Sequence, residues 1–122
     1  MNFKNVGTLS SALAISLGAL GAHKLEPQLL ANGTLEAWKT AALYHLVHSV
    51  ALYFLAALQS RDPDPFARMT MWLWFGGILL FSGSLYGLAL TQWPVLGPIT
   101  PLGGLSFIAG WIILLFSRSK SF

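Results

Sequence analysis

The sequence predicts an all-α polytopic membrane protein, a four-transmembrane-helix bundle folded as a single domain over residues 1–122. Three observations carry that prediction. Hydrophobic residues make up 55% of the chain and charged residues 9%, whereas a soluble domain carries about a quarter charged residues, so there are too few charges to coat a globule in water. Four stretches, roughly 5–23, 39–59, 69–91 and 99–117, reach the ~20 mostly apolar residues that crossing a bilayer requires. None of the four holds an acidic or basic residue in its interior.

The first stretch, within "MNFKNVGTLSSALAISLGALGAH", has one early lysine and small residues near its end, the outline of a secretory signal peptide. Its apolar run is long for that role, and it is read as the first span. "KLEPQLLANGTLEAW" (24–38) follows and has the length for a short interfacial helix with Leu25, Leu29 and Leu30 on its apolar side. "NGT" then breaks the helix. Thr34 is placed to cap the next one, with Glu36 near its positive end. "SRDPDPFAR" (60–68) is a tight proline-rich turn, and "QWPVLGP" (92–98) a short uncharged one. Pro101 fits the first turn of the fourth span.

Small residues mark the surfaces on which these helices approach one another, because lipid offers no hydrophobic drive for association. They recur at Ser10, Ala14, Gly18 and Ala22 on span one, at Gly76, Gly83 and Gly87 on span three, and at Gly103, Gly104, Ala109 and Gly110 on span four. Gly103 and Gly104 are expected to lie close to Gly18 and Gly21 of span one.

Orientation follows the distribution of lysine and arginine over short loops. One side holds Lys4, Arg61, Arg68, Arg118 and Lys120, and the other only Lys24 and Lys39. Both termini are therefore expected on the cytoplasmic side, in the inner membrane of a bacterial cell. Trp38 and Trp93 fall at the outer interface. Trp72, Trp74 and Phe75 fall at the inner leaflet, where they are expected to contact lipid or a partner. The formal charge of +3 arises from seven basic and four acidic residues, and no basic stripe interleaved with aromatics exists to bind nucleic acid. Cysteine is absent, which removes disulfides, thiolate metal sites and thiol nucleophiles.

Laid out by depth, the polar side chains gather in the outer leaflet. "AALYHLVHSVALY" (41–53) places His45 and His48 at i and i+3, roughly on one face, with Tyr44 and Ser49 beside them. His23 closes span one on the same side, and "FSGSLYGLAL" (81–90) brings Ser82, Ser84 and Tyr86 to a similar depth. Polar groups within a span are costly and face the bundle interior. Three chemistries fit the set. The histidines can be glue, hydrogen-bonded to hydroxyls and carbonyls. They can line an outward-facing cavity of His23, Tyr44, His45, His48, Ser82, Ser84 and Tyr86 that takes a lipid, quinone or small polar ligand. Or the three imidazoles can hold Zn²⁺ or Cu²⁺, although no Asp, Glu or Cys stands near to complete the ligand set. A serine nucleophile lacks an acid to orient its base, and no phosphate loop, carboxylate pair or metalloprotease motif is present. The reading adopted assigns no metal site, cofactor or catalytic residue.

Four clusters, "GALGAH" (18–23), "YHLVH" (44–48), "FSGSLYGLAL" (81–90) and "TPLGGLSFIAGW" (100–111), resemble the domain-of-unknown-function 423 family of small four-span membrane proteins, to which the human transmembrane protein 256 is related. The resemblance runs over nearly the whole chain and implies the four-span fold and an inner-membrane location. His23 and His48 match histidines of the family pattern, and His45 stands where other members have glutamine, which suits glue or a ligand site better than a metal. The function expected is a non-enzymatic structural or accessory role in a membrane assembly, with membrane lipids and a second copy or another membrane protein as partners. The alternative is the binding or transport module above. A channel through one protomer is disfavoured, since no span carries a polar stripe through both leaflets. His48→Ala is expected to destabilise more than His45→Ala, His48 lying deeper.

Overall fold

A computed structural model describes residues 2–117. Arg118 and Lys120, counted in the orientation argument, lie outside the described residues. Four helical segments are long and apolar enough to cross a membrane: Phe3–Ala22, Leu35–Gln59, Pro65–Thr91 and Pro94–Leu114. They alternate in direction. Asn2, the turn after Gln59 and Ser117 share one end of the bundle (the near end), and the 23–34 and 92–98 connections share the other (the far end).

Helix α1 (Phe3–Ala22) starts on Asn2, whose side-chain oxygen accepts the amides of Lys4 and Asn5 at 3.1 and 3.3 Å. Its buried face is Phe3, Gly7, Ala14 and Gly21, with Ser10 between. Ala22, placed on the packing stripe by the sequence, is exposed. The short α2 (Glu26–Asn32) ends on Gly33 at φ 69°, a left-handed position suited to glycine. Leu29 buries completely against Trp38 and Ala89, whereas Leu30, expected beside it, is exposed. Two leucines one apart on a helix point about 100° away from each other, and one neighbour covers only one of them.

Helix α3 (Leu35–Gln59), about 37 Å long, is the central element. It packs against α1 on one flank and against span three on the other. Thr34 does not cap it: its hydroxyl donates to the Ala89 carbonyl at 2.8 Å, as does the Asn32 amide at 3.2 Å, fastening the connection to span three.

Span three is α4 (Pro65–Gly77), a π turn (Ile78–Ser82) and α5 (Gly83–Thr91). Asp64 caps α4 by accepting the Phe66 amide at 2.9 Å, with Pro65 in the first turn. The π turn lies where α6 (Ile99–Leu114) crosses most closely. A Cβ on Gly103 would collide with the backbone of Leu80 and Phe81, so only glycine fits. Span four therefore packs on span three, and the expected approach of Gly103 and Gly104 to Gly18 and Gly21 is not formed. Gly7 makes the matching contact between α1 and α3, where an added Cβ would lie 2.7 Å from the Tyr53 nitrogen.

Two tryptophans depart from the expected interfacial belt. Trp38 is buried, with its indole N–H donating to the Leu17 carbonyl at 2.8 Å. Trp74 is 1% exposed in the core rather than facing lipid. In both cases a glycine on the neighbouring helix, Gly21 or Gly110, makes room for the ring. Trp72 and Trp93 are exposed as expected.

Candidate functional site

His45 and His48 are 3% and 4% exposed, so both are inside the bundle. Their i, i+3 spacing does not bring them into one site. His45 turns toward α1 and α5, and His48 toward α6.

On the first flank every donor can be traced. Ser49 donates its hydroxyl to the His45 carbonyl at 2.6 Å, one turn back. Ser10, 2.6 Å from the Ser49 oxygen, then supplies the hydrogen of that contact. Having spent its hydrogen, Ser10 accepts from His45 Nε2–H at 2.9 Å. Nδ1 of His45 is left with a lone pair, and the Tyr86 hydroxyl donates to it at 2.9 Å. The chain runs Tyr86 to His45 to Ser10 to Ser49 to the His45 carbonyl, each hydrogen used once. It binds α1, α3 and α5 together, and Trp38 closes it by packing edge-on to Tyr86 at 4.8 Å.

On the second flank Nδ1 of His48 lies 2.8 Å from the Tyr44 carbonyl, which can only accept, so Nδ1 carries the hydrogen. Nε2 then accepts the Trp111 indole N–H at 3.0 Å. The imidazole stacks on Phe107, ring centroids 3.7 Å apart and planes 14° apart. Trp74 and Trp111 stand edge-on at 6.0 Å each. The two neutral imidazoles thus hold opposite tautomers, His45 with hydrogen on Nε2 and His48 with hydrogen on Nδ1.

Both remaining serines of the expected set are spent on packing. Ser82, fully buried in the π turn, donates to the Ala41 carbonyl at 2.9 Å. Ser84 meets Thr100 at 2.6 Å and the Phe81 carbonyl at 3.0 Å. Tyr44 is partly exposed and contributes its carbonyl and a ring edge-on to Phe81. His23 is exposed at the end of α1 and takes no part in either histidine site. Helix α1 stops there and the chain turns into α2. A three-histidine metal site is therefore not formed, and no group of three His, Cys, Asp or Glu is placed to hold a metal among the described residues.

Two apolar grooves border these side chains. One of about 400 Å³ runs between α1 and span three, walled by Leu9, Leu13, Phe75 and Leu79, with Ser10, His45 and Tyr86 on its inner side. The other, about 300 Å³, lies between α3 and α6, along Tyr44, His48, Phe81 and Trp111. A further cavity, about 600 Å³, sits at the near end, with Gln59, Asp64 and Arg68 among the residues that line it. Ser10, His45, Ser82, Ser84 and Tyr86 find partners on adjacent helices, and aliphatic groups are left to face the gaps.

Sequence reasoning missed the part played by Ser10, Trp111 and Phe107. Ser10 carried a signal, standing on the small face of α1. Trp111 and Phe107 are members of a continuously apolar run, and no periodicity distinguishes a ring that meets an imidazole from one that meets lipid.

The model of the family described as "Protein of unknown function (DUF423)" matches residues 17–104. A UPF0382 membrane protein of Bacillus subtilis, YwdK, is 42% identical over 116 residues, covering 94% of both chains. A UPF0382 membrane protein of Staphylococcus aureus, SAB0533, is 41% identical over 115 residues, 94% of this chain and 93% of its own. One of Haemophilus influenzae is 42% identical over 114 residues, 93% of this chain and 90% of its own. No solved structure matches. With four helices able to span a bilayer and relatives of this similarity over nearly their full length, the chain is an integral membrane protein belonging to the DUF423 family.

Proposed function

We propose that this membrane protein acts without catalysis, as a structural or accessory component of a membrane assembly. The observation that supports this best is that all four ring nitrogens of His45 and His48 are engaged by internal partners. Ser82 and Ser84, the other candidate nucleophiles, are hydrogen-bonded within the bundle as well. What the protein offers outward is an aliphatic perimeter, with Leu9, Leu13 and Ile15 on α1 and Leu105, Ile108 and Ile112 on α6 all exposed. Membrane lipids cover that perimeter, and a second copy or another membrane protein docks on part of it. The host is the bacterial inner membrane. Both termini face the cytoplasm, in keeping with Lys4, Arg61 and Arg68 at the near end.

Extraction into lipid nanodiscs followed by native mass spectrometry tests the assembly. A complex heavier than one chain is expected; a lone chain with lipid only would overturn the reading. Because cysteine is absent, single-cysteine variants report orientation cleanly. Ser60→Cys should resist, and Gln92→Cys should accept, an impermeant thiol reagent applied to intact cells.

The groove between α1 and span three favours a second reading, in which a lipid or quinone tail lies along Leu9, Leu13 and Leu79 with its polar end at Tyr86 and His45. A thermal-stability screen against divalent metals, lipids and quinones separates the two readings. A shift for one compound, lost in a His45→Ala/His48→Ala variant, would make this a binding protein.

A further inference from the structure

The cavity at the near end is not used by either histidine flank and shares no residue with them. Its walls are of two kinds. Phe3, Met71 and Trp72 form an apolar side, with Phe3 edge-on to Trp72 at 4.9 Å. Gln59, Asp64 and Arg68 form a polar side. An apolar wall beside a polar one, at the membrane boundary and within about 600 Å³, matches the junction between the glycerol and headgroup of a lipid.

Charge chooses among headgroups. The Asp64 carboxylate is already engaged, one oxygen accepting the Phe66 amide at 2.9 Å and the other the Ser117 hydroxyl at 2.7 Å. Arg68 is exposed at the rim, and its guanidinium fork matches a phosphate oxygen pair. Beneath it Gln59 is only 8% exposed. Its side-chain oxygen accepts the Asp64 amide, which fixes which end of the amide is the donor, and among the described residues its NH2 group has no partner. A buried donor without an acceptor is destabilising, and an acceptor reaching it from the cavity removes that cost. Lys4 and Arg61 lie at the same end, with Asp62 as an opposing charge.

We propose that this cavity is a binding site for the phosphodiester of an anionic membrane phospholipid, with Arg68 holding the phosphate, the Gln59 amide donating to it and the Phe3–Trp72 wall taking the lipid's glycerol and first acyl carbons.

The experiment measures melting temperature of the purified full-length protein in neutral detergent while phosphatidylglycerol, phosphatidylcholine, glycerol phosphate or inorganic phosphate is titrated in. Phosphatidylglycerol is expected to raise the melting temperature saturably, and the other three are not. Arg68 is exposed, so Arg68→Gln should fold normally and weaken the phosphatidylglycerol response about tenfold, the loss of one charge-assisted pair. Arg68→Lys keeps the charge without the fork and should fall between. Gln59→Glu retains an acceptor for the Asp64 amide while replacing the donor with a negative charge, and should also weaken the response. Lys39→Gln, at the far end, should leave it unchanged. Equal responses to phosphatidylglycerol and phosphatidylcholine, or an undiminished response in Arg68→Gln, would overturn the site. A shift produced by inorganic phosphate alone would overturn its assignment to a lipid.

Discussion

On the flank facing α1, His45 is surrounded by hydroxyls; on the flank facing α6, His48 is surrounded by rings. The two residues are three positions apart on one helix and equally buried. The hydroxyl network is adaptable, because Ser10, Ser49 and Tyr86 can each rotate a hydrogen toward another acceptor. The aromatic box is not, because the Trp111 indole only donates, the Tyr44 carbonyl only accepts and Phe107 offers a flat face. Equal burial therefore does not mean equal sensitivity to change. What matters is whether the partners left behind can satisfy one another.

The largest expected break in that comparison comes from the helix crossings that hold each flank. Gly103→Ala drives a methyl into the Phe81 backbone and should cost about 3 kcal/mol or more, displacing α6 with Phe107 and Trp111. Gly18→Ala on the opposite flank places its methyl 3.9 Å from the Ala42 side chain, an ordinary contact, and should be neutral within error. Melting curves of the two variants in one detergent check this.

Next in size is His48→Ala, expected to cost about 2–4 kcal/mol through the lost stack and a stranded Trp111 N–H. His45→Ala should cost about half that, since its hydroxyl partners can pair again. Burial does not separate the two, so the contrast rests on their partners. Equal losses in chemical or thermal unfolding would refute the contrast. Tyr86→Phe removes one donor and should cost about 1 kcal/mol. In nitrogen NMR it should alter the His45 ring signals and leave those of His48 alone. The same spectra of the unmodified protein should show hydrogen on Nε2 of His45 and Nδ1 of His48. Smallest is His45→Gln, under about 1 kcal/mol, because an amide offers one donor and one acceptor to the same hydroxyls, whereas His48→Gln loses the Phe107 stack and should cost more.

The four spans were legible because a bilayer demands long uncharged runs, and such runs leave a trace in any sequence. Gly7 and Gly103 could be recognised as packing positions but not assigned to partners, since a small residue does not say which backbone approaches it. The histidines were legible as buried and polar. Their separation was not, because an i, i+3 pair spans about 60° of helix surface, enough to fall on either side of a ridge when neighbours pack on both flanks. Thr34 shows the same limit: it has the chemistry of a cap, and the nearby Ala89 carbonyl, remote in sequence, took the hydrogen instead. Gln59, at the end of a span, gave no signal that its NH2 group would be left without a partner among the described residues.

The fastening at Ala89 bears on the order of assembly. Asn32 and Thr34 are synthesised 57 and 55 residues before the carbonyl that accepts their hydrogens. When the first hairpin of spans enters the membrane, the Ala89 carbonyl is not yet there to accept, and Gln92, which donates to the Asn32 carbonyl at 3.1 Å, does not yet exist. The connection stays loose until the third span has crossed to the same side. Completion of three spans is thus recorded as the ordering of a loop between the first two, and a chain halted after its second span would carry that loop exposed to proteases.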